Sequence, residues 1–172
     1  MVKAKQQTKQ DAYTTNLLIS LLMRFPEIMS INFNMPDDHA KFTFILVGSV
    51  KKDDFAGFTA LLDESLSAFQ ELTGESFVLE PKLQRTGKLS LLEVSCCTTS
   101  LSLEAIQLLC GVVSGTFAQS LLQDGNTLET IHDEEMVRQE EIIDYLLTHS
   151  TGAKKDNLLA FRESGKVFVY DK

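Results

Sequence analysis

The sequence is poor in the residues that mark specialised classes of protein. Only 9 Gly and 3 Pro occur in 172 residues, which excludes a collagen-like or a Pro/Gly-rich low-complexity chain. The three cysteines, Cys96, Cys97 and Cys110, are too few and odd in number for a disulfide framework. No CxxC spacing exists. Cys96 and Cys97 fall in an expected strand and so point to opposite faces. All three are expected to be small buried hydrophobes in a reducing cytosol. Positive charge is in deficit: 16 Lys+Arg against 24 Asp+Glu give a formal net charge of −8. A negative field repels phosphate backbones and anionic lipid surfaces, so neither nucleic acid nor membrane is an expected partner. Residues 1–10 carry Lys3, Lys5 and Lys9 but no apolar run, so no signal peptide is expected. They read as a flexible tail, and residues 11–172 as one cytoplasmic domain.

What is present is ordinary globular material, 44% hydrophobic and 23% charged, too apolar for disorder. Tyr13, Leu17, Leu18, Leu21, Leu22 and Phe25 recur at helical spacing, and Pro26 stops the pattern. Met29, Ile31, Phe33 and Met35 alternate with polar residues, as do Phe42, Phe44 and Leu46 after the turn at 36–39. That predicts a hairpin. Asp53 is an expected N-cap for a helix striped by Phe55, Phe58, Leu62, Leu66 and Phe69, with Gly74 as its left-handed C-terminal cap. A second hairpin is expected from Phe77 to Cys97, Pro81 marking an edge or bulge. A helix then runs to about Leu122, and another from about Leu128 to Thr148 with Met136, Val137, Ile143 and Leu147 buried. A last hairpin turns at Ser164-Gly165, setting Phe161 opposite Phe168 and Leu159 opposite Tyr170. Both of its faces are apolar, so it is expected to be covered on both.

Residues 27–74 and 75–122 can be overlaid at an offset of 48. Phe44 then meets Leu92, Ile31 meets Leu79, and Phe58 meets Ile106. Two ββα units are therefore expected, with a C-terminal hairpin, in a two-layer α+β fold: an antiparallel sheet with helices chiefly on one face. In layout the chain resembles small acidic dimeric secretion chaperones, which also mix helices with antiparallel strands. That likeness is architectural and rests on no motif.

Searching for chemistry yields little. No GxSxG, HExxH or dinucleotide fingerprint is present, and no cofactor is implied. Gly87-Lys88-Leu89-Ser90 lacks the upstream glycine of a phosphate loop. His39 beside Asp37 and Asp38 lies in an expected turn tip without enclosure. His132-Asp133-Glu134-Glu135 is similar to a metal dyad over two residues only. Its carboxylates are explained by the dipole of the helix they open. No catalytic or metal-binding residue is assigned. The one anomaly is the stretch Ala105 to Gln123, which contains no charged residue, whereas a surface helix keeps a charged face. Leu108, Gly111, Val112, Gly115, Ala118 and Leu122 are the expected interface residues, with a homodimer as the expected assembly. The expected function is a non-enzymatic cytoplasmic interaction or chaperone-like module. The alternative is a small-molecule sensor with a pocket between the ββα units, lined by Phe42, Phe44 and Phe69.

Overall fold

The computed structural model describes residues 9–123, 133–149, 157–163 and 165–171. Helix α1 spans Lys9–Arg24, taking in the last two residues of the expected tail. Leu17, Leu18, Leu21 and Leu22 are buried along it, with Phe25 just beyond its end. After Pro26 the chain forms β1 (Ser30–Asn34), β2 (His39–Val47), α2 (Lys52–Thr73), β3 (Glu80–Thr86), β4 (Leu89–Cys96), α3 (Leu103–Thr116), α4 (Asp133–His149), β5 (Asn157–Glu163) and β6 (Lys166–Asp171). The strands form one antiparallel sheet in the order β3-β4-β2-β1-β5-β6. This is the expected α+β class.

Alternation decides which face is buried. In β2, Ala40, Phe42, Phe44 and Leu46 are buried while Lys41, Thr43 and Ile45 are half-exposed. The pairing carries this parity across the sheet: Phe42 faces Ile31 and Val94, and Ile31 faces Ala160. These residues join Leu18, Phe58, Ile106 and Ile143, one from each helix, in one hydrophobic cluster. The opposite face of the sheet is only partly shielded.

Phe44 pairs directly with Leu92, the two positions that the sequence offset equates. The outer strands do not keep that offset. Ile31 pairs with Phe42, but Leu79, its counterpart in the overlay, precedes β3, and Arg85 lies opposite Ser90. The hairpins differ in their turns, residues 35–38 in one and the pair Gly87-Lys88 in the other, and turn length sets register. Gly87 adopts φ 61°, which the tight turn requires and an L side chain resists. Pro81 sits in β3, the edge strand, where its missing N–H breaks no ladder.

Three expected boundaries are corrected. Phe77 to Leu79 precede β3, and Phe77 instead packs edge-to-face on Phe69 of α2 at 5.1 Å. The cap position of α2 is Lys51, and Asp53 lies in the first helical turn with Asp54, where the helix dipole favours carboxylates. Gly74 does close α2 in the left-handed region, φ 76°. Helix α3 ends at Thr116, not Leu122. The reason lies in β2, which has nine residues against five in β1 and so outruns it. Val47 donates to Ser120 O and Leu122 N donates to Ile45 O, each at 2.8 Å, so residues 120–122 satisfy backbone groups that β1 leaves open.

In α4, Ile143 and Leu146 are buried, but Val137 is 54% exposed. Six residues from Ile143 place Val137 about 120° around the helix. His132, the loops at 123–127 and 150–156, and Ser164 of the last turn lie wholly or largely outside the described residues. The last hairpin has the expected register, Phe161 with Phe168 and Leu159 with Tyr170. Among the described residues it is covered on one face only: Leu158 and Ala160 are buried, while Phe168 is 38% and Tyr170 55% exposed.

Candidate functional site

Helix α3 is placed by its cap and its buried side. Ser102 Oγ accepts from Ala105 N at 3.2 Å, the N-cap geometry. Leu103, Ile106, Leu109, Cys110 and Val113 then turn into the core. The opposite side carries Gly111 and Gly115, both exposed. A Cβ added at either glycine would meet nothing within 4 Å. Among the described residues, no packing demands a small residue there. Leu108 and Val112 are half-buried against the core cluster. Ala118 and Leu122 are exposed, but on the chain that leaves the helix. Of the six expected interface residues, Gly111 and Gly115 thus form an exposed neutral strip on α3, Leu108 and Val112 are half-buried, and Ala118 and Leu122 lie exposed on the continuation toward the sheet.

A groove of about 600 Å³ runs between the start of α2 and the end of α3. Asp53, Asp54, Gly57 and Leu61 line one side, and Gly115 to Ser120 the other. Phe58 and Phe117 meet at its base with ring centroids 5.3 Å apart. Phe42 and Phe44 are fully buried on β2, and Phe69 packs against Phe77. None of these three lines the groove, nor the smaller hollow of about 290 Å³ bounded by Thr14, Phe33, Thr98 and Leu147.

The carboxylates of the first hairpin turn are engaged within the fold. Asp37 accepts from Asn34 Nδ2 at 2.9 Å. Asp38, the one described non-glycine residue at positive φ (49°), reaches across to the 3-10 turn at Thr98–Ser100. It accepts from Thr98 Oγ1 at 2.5 Å, and from Thr99 N and Thr99 Oγ1 each at 3.0 Å. Thr98 and Thr99 thus bind a carboxylate far away in sequence. Hydrogen bonds from Thr98 and then Thr99 hold the Asp38 carboxyl below its ordinary value, against the opposing effect of burial. A depressed folded-state pKa gives stability that is present above the unfolded value and lost as pH falls through the folded one. Asp38→Asn keeps the backbone preference and one acceptor oxygen but loses the charge. It is expected to cost about 1 kcal/mol at pH 7, since hydrogen bonds to a charged acceptor exceed those to a neutral one by about that much, with the gap to the native protein closing below about pH 4. Urea unfolding at pH 7 and pH 3 checks this, and an equal gap at both would refute it.

No group of three or more His, Cys, Asp or Glu among the described residues is placed to hold a metal ion. The cysteines are free. Burial pushes the Cys96 thiol up to about 12 and raises Cys110 well above its ordinary value, so both are poor nucleophiles at neutral pH. Cys97 is exposed, contrary to expectation, because it follows the last residue of β4 on the other parity.

Two further tethers escaped sequence reading. Arg24 Nε donates to Glu140 Oε2 at 2.7 Å, pinning α1 to α4. Arg162, on the buried parity of β5, sends its guanidinium to backbone carbonyls around the end of α1. Nothing in local sequence links these partners.

The fold is thus a six-stranded antiparallel α+β domain with a neutral helix strip and an acid-rimmed groove beside it. Comparison with protein-family models, curated proteins and solved structures finds no match to the chain. Among the described residues, no helix is long and apolar enough to cross a membrane.

Proposed function

We propose that this chain is a non-enzymatic cytoplasmic interaction module that works as a homodimer, with the outward strip of α3 as its seam. The observation that carries this reading is the pair of glycines, Gly111 and Gly115, which face open space among the described residues on a helix that has no charge beyond Glu104. Each glycine weakens a helix by about 1 kcal/mol relative to alanine. A second copy supplies a reason for both, since two helices crossing at small residues bring their backbones into close contact. Charge also selects the strip. Two copies of a chain with net charge −8 repel over most of their surfaces, and α3 beyond Glu104 has nothing to repel with. Free thiols suit a reducing compartment.

Gly115→Leu is expected to separate the protomers without loss of fold, because a Cβ added there meets nothing within 4 Å among the described residues. Light scattering across a dilution series should show a native dimer and a monomeric variant. Thermal unfolding of the dilute variant should be no lower than that of the dilute native protein. A native protein that is monomeric throughout, or a variant that dimerises as readily on dilution as the native protein, overturns the seam.

The groove between α2 and α3 supports a second reading, a small-molecule sensor. Native mass spectrometry of purified protein that finds a bound small molecule, lost in Leu61→Trp, would favour it over the interaction module.

A further inference from the structure

The sheet has two edges, and they are unlike. Edge strand β3 carries Pro81 among the charged residues Glu80, Lys82 and Arg85, devices that blunt an edge against further pairing. Edge strand β6, Lys-Val-Phe-Val-Tyr-Asp, has no proline and no charge between its two ends. Four of its six residues are of the β-branched and aromatic types that favour strands. Among the described residues, nothing pairs with its outer side.

From this contrast we infer that β6 pairs antiparallel with β6 of a second copy, extending the sheet across a two-fold axis. Three features point to a second copy as occupant. The strand does not repel itself: about an axis at Phe168, Lys166 of one copy lies opposite Tyr170 of the other and Asp171 opposite Gly165, so no like charges are set against each other. The strand as a whole is neutral, so the net charge of −8 is not concentrated at the contact. The aromatic row also continues. Phe161 stacks on Phe168 at 5.6 Å and on Tyr170 at 5.4 Å. A two-fold axis perpendicular to the sheet keeps each residue on its own face and sets Phe168 beside its copy.

This contact uses a different surface from the α3 seam, and either stands without the other. Together they give one chain two self-complementary interfaces, which build tetramers or longer assemblies rather than stopping at a pair. The test is solution mass against concentration for the native protein, Phe168→Lys, Gly115→Leu and the double variant. Phe168→Lys sets like charges opposite each other across the axis. The expected result is a native dimer that grows with concentration, a Phe168→Lys protein that stops at the dimer, a Gly115→Leu protein that dimerises only at high concentration, and a monomeric double variant. Amide exchange in residues 166–171 should slow as the native protein is concentrated and not in Phe168→Lys. A Phe168→Lys mass curve superimposable on the native one, with exchange independent of concentration, overturns the β6 contact. A Phe168→Lys protein that is monomeric while Gly115→Leu behaves as native supports the β6 contact and removes the α3 seam.

Discussion

Arg162→Ala is expected to lower the unfolding free energy by about 3 kcal/mol, since hydrogen bonds from a charged donor contribute about 1.5–3 kcal/mol each and are not additive. The guanidinium gathers three carbonyls around the end of α1, of which Phe25 O also accepts from Ile28 N at 3.1 Å. Nη2 reaches Ile28 O at 3.0 Å and Phe25 O at 3.2 Å, Nε reaches Ile28 O at 3.2 Å, and Nη2 also meets Leu22 O. Leu22 lies in the last turn of α1, whose carbonyls lack intrahelical donors and whose dipole favours a cation. The same side chain therefore caps a helix and pins β5 beneath it. Removing it takes the charged donor from Leu22 O and Ile28 O, leaves Phe25 O with Ile28 N alone, and loosens the contact of the last hairpin with α1. Arg162→Lys should recover only part of the loss, because an ammonium cannot span the planar fork. Urea unfolding measures both variants. A loss under 1 kcal/mol in the alanine variant would show the tether to be incidental.

Phe44→Ala is expected to cost more, about 3–5 kcal/mol, the range for removing a buried aromatic ring. Phe44 is fully buried in a central strand, opposite Leu92, and its neighbours cannot close the space without shifting both hairpins. The outcome also bears on the sensor reading. A pocket residue can be cut back with modest effect on the empty protein, whereas a core residue cannot. Denaturant unfolding of ligand-free protein separates the two, and a loss below 1.5 kcal/mol would return Phe44 to the list of pocket candidates.

Sequence periodicity was a good guide where local pattern and tertiary demand coincide. Leu17, Leu18, Leu21 and Leu22 announce α1, and alternation along Phe42, Phe44 and Leu46 announces β2, because each buries one face against one core. The register of the last hairpin was legible because a two-residue turn leaves little freedom. The end of α3 was not legible. Its apolar run continues to Leu122, but the unpaired edge of β2 claims residues 120–122, and that demand is invisible in the run itself. The grips of Asp38 on Thr98 and of Arg162 on α1 join residues far apart in sequence, and no periodicity encodes a side chain that reaches across the fold. Exposure of the strip was a matter of layering: the missing charge on α3 marked an unusual helix, but only the packing of its opposite side shows that Gly111 and Gly115 face outward.

The short stretch that follows α3 has a mechanical consequence. Ser120 and Leu122 are bonded into β2 through backbone groups, while Gly115 and Ala118 lie a few residues back along the same chain. A body seated on the strip therefore grips one end of a lever whose other end is stitched into a central strand. Opening of the upper half of β2, at Ile45 and Val47, then requires that lever to lift. Docking on the helix thus raises the local unfolding free energy of a strand it never touches, and the amide of Val47 becomes a reporter of events on α3.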